Sequence, residues 1–272
     1  MIRPRFKMCL AAVAALALAA CSKAPEDVTA RYTLGSGQGT ITVQAAANGD
    51  ARVESGQQAL VHKGDTDYML TTDDKGRFAA SVADFLAVIG EMMREDGMKP
   101  NPAPSQDAYE LNKTGTDTVA GIKGDIWRVT PKEPAKAPAG EAPEAVISSD
   151  AAYANVGKAL LMQARLGSGM QQLQGGVGNL DKRVEEMFGK GMVLRFNNAF
   201  KLDKVEKGPI DPKSFALPTV LDKKALKARL IAARDAAKAA RAAAAKTMPG
   251  GPPPVQVQPA PAPAPAPAPA AK

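Results

Sequence analysis

The stretch GTITVQAAANGDARVES, residues 39–55, decides the fold. Ile41, Val43 and Ala45 share one parity and Thr40, Thr42 and Gln44 the other, the period of two that gives a strand one buried face. Asn48-Gly49 separates this run from Ala51-Arg52-Val53, and an Asn-Gly pair between alternating runs is a strong hairpin signal. Downstream, QALVHK (58–63) and DYMLTT (67–72) continue the meander, separated by Gly64-Asp65 and closed by Asp73-Asp74-Lys75-Gly76.

The period then changes. Val82, Phe85, Leu86, Ile89 and Met92 or Met93 recur at helical spacing behind Ser81, a residue suited to cap a helix start. After the proline-rich KPNPAPS (99–105), strands are predicted at 107–113 and 122–130, joined by TGTDTVAG. PKEPAKAPAGEAPE (131–144) reads as loop by composition. A short strand at 145–148 leads to a helix over about 151–166, and a glycine-rich connection fills 167–178. Asn179 is placed to cap a helix carrying Leu180, Val184, Met187 and Phe188. MVLRFNNAFKLDKVEKG (192–208) returns to a hairpin around Asn197-Asn198, and PIDPKSFALP (209–218) is an extended closing segment. Antiparallel strands interrupted by helices make an α+β chain, without regular βαβ alternation.

Both ends differ from this body. Arg3, Arg5 and Lys7 precede an uncharged run from Met8 to Ala20, the pattern of a secretory signal, and the run is too short to span a bilayer as a helix. Leu18-Ala19-Ala20-Cys21 resembles the lipobox of bacterial lipoproteins. That resemblance implies cleavage before Cys21, acylation of its sulfur and amine, and a membrane-tethered product; Ser22, where that family often has Asp for inner-membrane retention, leans it toward the outer membrane. Cys9 leaves with the signal and one cysteine forms no internal disulfide, which favours the lipid reading; the other reading is an ordinary signal peptide with a leftover thiol. Residues 21–30 read as a tether and 31–220 as the folded body. At the far end, 221–247 is an alanine-rich helix with Lys223, Lys227, Arg234, Lys238 and Arg241 on one face, and 248–272 is a Pro/Ala tail whose six Pro-Ala repeats favour polyproline II.

The net charge of +7 is unevenly held. The signal carries +3, and 221–272 carries nine Lys or Arg against two Asp, leaving residues 21–220 at −3. An acidic body, in a chain with 4% aromatic residues, suits no nucleic acid, which requires a basic surface and stacking platforms. His62 is the only histidine, on a strand and without a G-x-S-x-G partner motif, so it reads as structural or solvated. One histidine and no cysteine cluster leave no zinc set, so no catalytic residue, metal or cofactor is assigned. GSGQGT and GSGMQQLQGGVGN lack the features of phosphate loops and read as turns. Acidic pairs such as Asp65/Asp67 fall at turns, and nothing in them points to a hydrolase. Met92, Met93 and Met98 fit core packing or a surface adaptable to apolar ligands, and their spacing matches no defensible copper(I) site.

Three stretches carry a further likeness: ALVHKGDTDYMLTTDDKG, then GTDTVAGIKGDIWRV with Thr118-Val119-Ala120-Gly121 and Trp127-Arg128-Val129, and FKLDKVEKGPIDPKSFALP ending in Phe215-Ala216-Leu217-Pro218. Over about 31–220 the chain resembles the periplasmic lipoprotein-carrier superfamily typified by LolA and LolB. The likeness implies a LolA-like half-barrel, an antiparallel curled sheet with helices covering its concave apolar face, where the carriers receive acyl chains. On this reading the protein is a non-enzymatic envelope lipoprotein on the periplasmic side, with Phe85, Leu86, Ile89, Met92, Met93 and Trp127 in an interior for an apolar or acyl ligand. The alternative is a scaffolding lipoprotein whose basic helix contacts an anionic envelope polymer or a protein partner.

Overall fold

The computed structural model describes residues 25–247 apart from 36, 38, 57, 99–106, 134–141 and 175–178, so Cys21 and the Pro-Ala repeats lie outside the described residues. The chain divides into two compact units, one ending at Ala228 and one beginning at Arg229.

The first unit is α+β, built on one antiparallel sheet of eleven strands that does not close. β1 (Val28–Leu34), β2 (Thr40–Ala45), β3 (Ala51–Ser55), β4 (Gln58–Lys63), β5 (Thr66–Asp73) and β6 (Gly76–Ser81) form one meander. β7 (Tyr109–Val119), β8 (Ile122–Pro131), β9 (Glu144–Ser148), β10 (Met192–Phe196) and β11 (Phe200–Lys207) form a second. The two meet where β1 pairs with β11, from Val28↔Lys207 to Leu34↔Phe200. Ile41, Val43 and Ala45 all point into the core, as the alternation in 39–55 requires.

α1 (Val82–Glu95) lies over β5 and β6, α2 (Ala154–Leu173) over β2–β4 and β10, and α3 (Leu180–Phe188) over β7 and β8. Ser81 caps α1 as predicted, accepting the Asp84 N–H. The helix-side core joins Val156, Ala159 and Leu160 of α2 to Tyr32, Val43, Val53 and Leu60 of the strands. β4 is buried on both sides, because Ala59 and Val61 belong to a second cluster with Leu70, Ala79 and Phe215. That cluster is covered by a strap, residues 208–222, which leaves β11 and passes a short 3-10 turn (Pro212–Phe215) over β3 and β4. Arg52 holds the turn by donating to the Ser214 carbonyl at 3.1 Å. The strap ends against β6, where the Ala79 N–H donates to Thr219 O and the Leu221 N–H to Ala79 O. The outward backbone groups of Ala79 on the edge strand β6 are thereby paired. The helix that follows, α4 (Lys223–Thr247), crosses from the first unit into the second.

Four expectations are corrected. β1 starts at Val28, inside the predicted tether, because Val28 and Ala30 are core residues of a central strand. β7 continues through the predicted joining segment to Val119, and only Ala120-Gly121 turn. α2 runs on through Gly167–Gly169, since packing against α1 outweighs glycine's weak helix propensity: a Cβ on Gly169 would lie 2.5 Å from Leu86 Cδ1. Asn179 does not cap α3 with its side chain; it accepts the Tyr109 N–H at 3.0 Å and donates to the Tyr109 carbonyl, fastening β7.

The turn after β7 yields a prediction. Val119 pairs with Ile122, and Ala120 and Gly121 both have positive φ (49° and 77°), the geometry of a type I′ turn. Alanine is strained there by about 1–2 kcal/mol. Ala120→Asn is expected to raise stability by about 1 kcal/mol, read as a higher urea midpoint at unchanged slope.

Candidate ligand-binding site

The apolar stripe of α1 forms as its spacing predicts. Val88 is fully buried and Met92 nearly so (8% exposed), while Phe85, Leu86, Ile89 and Met93 are only partly buried. α1 meets α2 through small-residue contacts: Leu86 rests on Gly169, and Leu173 on Gly90, where a Cβ would come within 2.9 Å of Leu173 Cδ2. Such seats bring two helices close without interlocking large side chains. Met98 lies past the helix end at 49% exposure, its N–H donating to Met93 O.

Trp127 stands elsewhere. It lies on β8, opposite Ala145 of β9, packs on the helix-side core, and is overlain by the Lys190 ammonium at 5.1 Å from the ring centroid. In the strand order β8 is next to one edge, whereas α1 covers β5 and β6 at the other. The six residues expected in one interior are therefore distributed, five on α1 and one on β8. Sequence periodicity reported which positions are apolar but carried no information on which strands a helix covers.

The outer face of α1 is charged, and its partner was not foreseen. Glu91 takes Lys223 at 2.6 Å and Lys227 at 3.2 Å, and Glu95 takes Lys227 at 2.6 Å. Hydrogen bonds from Lys223 and Lys227 hold the Glu91 carboxyl below the usual carboxylate range, and those to Glu95 and Glu91 push the Lys227 ammonium upward. Leu226 between them is fully buried. The first two cations of the predicted basic stripe thus fasten the start of α4, within the first unit, to α1. In the second unit, Arg234 is partly buried and Lys238 and Arg241 are exposed.

Two further groups carry polar chemistry. His62 Nδ1 lies 2.7 Å from Asp67 Oδ1 across the β4–β5 hairpin, both half-buried. Among the described residues no cluster of three His, Cys, Asp or Glu could hold a metal. Tyr32 of β1 is completely buried, edge-on to Phe200 at 5.5 Å, and its hydroxyl has no hydrogen-bond partner among the described residues. Burial pushes the phenol pKa up. Since an unpaired buried hydroxyl costs about 1–3 kcal/mol, Tyr32→Phe is expected to raise stability by about 1 kcal/mol, measurable by urea unfolding. GSGQGT is the β1–β2 turn, with positive φ at Gly37 and Gly39. Among the described residues no helix is long and apolar enough to cross a membrane. No protein-family model matches the chain and no curated protein matches it, so its functional reading rests on its own residues.

Proposed function

We propose that this chain is a lipid-anchored envelope protein, tethered through Cys21 on the periplasmic side with the outer membrane favoured, whose curled sheet and helices take an apolar or acyl ligand without catalysing a reaction. The anchoring half is supported by the basic, apolar and Leu-Ala-Ala-Cys sequence of residues 1–21 and by its likeness to the lipobox. The ligand half is carried by one observation: Phe85, Leu86, Ile89 and Met93 stay only partly buried on a helix that otherwise packs against sheet and α2. The likeness to the lipoprotein carriers points the same way.

The test uses two preparations. Full-length protein labelled with a fatty-acid probe in a bacterial host should carry label that Cys21→Ala abolishes; unlabelled wild type would remove the anchor. Protein from residue 22 onward, purified without detergent, should release acyl lipid to mass spectrometry, and Ile89→Asp should release little. Folded protein that carries no lipid and takes none from vesicles would overturn the ligand reading. A second reading has its own support in Lys238 and Arg241, exposed on a 25-residue helix: the tail contacts an anionic envelope polymer, and removal of 229–272 should abolish polymer pull-down.

A further inference from the structure

A cleft of about 230 Å³ opens between the start of α2 and the α3–β10 turn, away from the stripe of α1. Glycines bring its two walls together. Gly157, Gly189 and Gly191 all line it, and Gly157 lets α2 approach the turn so closely that a Cβ would lie 2.6 Å from the Gly191 carbonyl carbon. Its apolar lining is Leu161 and Phe188, the latter held edge-on by Phe196 at 5.2 Å and Phe200 at 6.4 Å. Such a surface is rigid, since each ring is fixed by its neighbours.

The polar lining has one balance of charge. Lys158 of α2 and Lys190 of the turn border the cleft with Ser149 and Asp150. Asp150 Oδ1 is occupied by the Ala152 N–H at 2.9 Å, starting the 3-10 turn before α2. Lys190 is positioned rather than loose, with its ammonium over Trp127 and 3.6 Å from Glu186 Oε1. With Lys190 already shared by Glu186 and Trp127, the cations of the cleft suit a single negative group better than a polyanion, and the apolar lining favours an attached hydrocarbon. The volume is below that of pockets for drug-sized molecules.

We infer that this cleft binds a small amphipathic anion, its carboxylate or phosphate group met by Lys158 and Lys190 and its short apolar body laid on Leu161 and Phe188. This site goes beyond the reading of α1 and does not depend on it. Trp127 is the only tryptophan of the chain, so displacement of Lys190 from its ring by an occupant is visible in its emission.

The experiment titrates the protein from residue 22 onward with octanoate and with octyl phosphate, against octanol and inorganic phosphate. Saturable emission changes are expected for both octyl anions, with octanol and inorganic phosphate at least about tenfold weaker. Lys158→Gln is expected to weaken octanoate about fivefold or more by calorimetry, with the thermal melt unchanged. Ile89→Asp should leave the octanoate titration as it was, even if it abolishes lipid co-purification. Octanol binding as tightly as octanoate would reduce the cleft to an apolar groove, and inorganic phosphate binding equally would reduce it to a charge site. An octanoate affinity indifferent to Lys158→Gln but lost in Ile89→Asp would move the anion to α1. Each of these three results overturns the inference, as does the absence of any binding.

Discussion

Phe215→Ala is expected to lower folding stability by about 3–5 kcal/mol, the loss typical of a buried phenylalanine. Phe215 is 3% exposed and is the largest buried side chain of its cluster, whose other buried members are Ala46, Ala59, Val61, Leu70 and Ala79. The strap is otherwise held by the Gly208 and Ile210 amides donating to Asp27, the Arg52 bond to Ser214 O, the partly buried Ile210 and Leu217, and the two backbone bonds at Ala79. Losing Phe215 therefore loosens the strap beyond its Asp27 anchor, and the Ala79 and Leu221 amides should exchange with solvent faster than the strand interior. Urea unfolding gives the stability change and hydrogen exchange the location. A loss under about 1 kcal/mol would mean that the strap is not part of the cooperative unit.

Asp27→Asn is expected to cost about 1–3 kcal/mol at neutral pH. Its carboxylate accepts the Ala47 N–H at 2.7 Å through Oδ1 and the Ile210 N–H at 3.0 Å through Oδ2, tying β1, the β2–β3 loop and the start of the strap at one point. An amide keeps one acceptor and aims a donor at the other N–H. The same two bonds, that of Ala47 first, depress the Asp27 pKa below the ordinary carboxylate value. With the folded pKa depressed, the stabilisation is complete above the unfolded pKa of about 3.9 and is lost as pH falls through the folded value. Stability curves of wild type and Asp27→Asn should consequently converge in acid. A constant gap down to pH 2 would assign the cost to packing instead.

Much of the sheet was legible because a strand with one wet face must alternate, as 40–45 does, while 58–63 and 192–196 showed themselves as short apolar runs bounded by turn residues. The Ser81 cap was legible for the same local reason. Errors fell where tertiary contacts decide. Gly167–Gly169 read as connection until Leu86 was there to pack on, and Val28 read as tether until β11 supplied its partner. The α1 stripe was visible as a period of 3.6, but its separation from Trp127 depends on strand order, which no window of sequence contains. Lys223 and Lys227 read as part of a free stripe because Glu91 and Glu95, more than a hundred residues earlier, lie beside them only in the folded chain. The cleft between α2 and the turn was invisible because its lining, drawn from 149–161 and 188–191, meets only in the folded chain.

The position of β1 has a mechanical consequence. Chain preceding Glu26 feeds directly into a strand flanked on both sides, by β2 and by β11. A pull applied there runs along β1 and loads two ladders of hydrogen bonds in shear, all together, where an edge hairpin would peel one bond at a time. Such a pull enters the fold at its central pair of ladders and reaches the edge strands β6 and β7 only through the strands between.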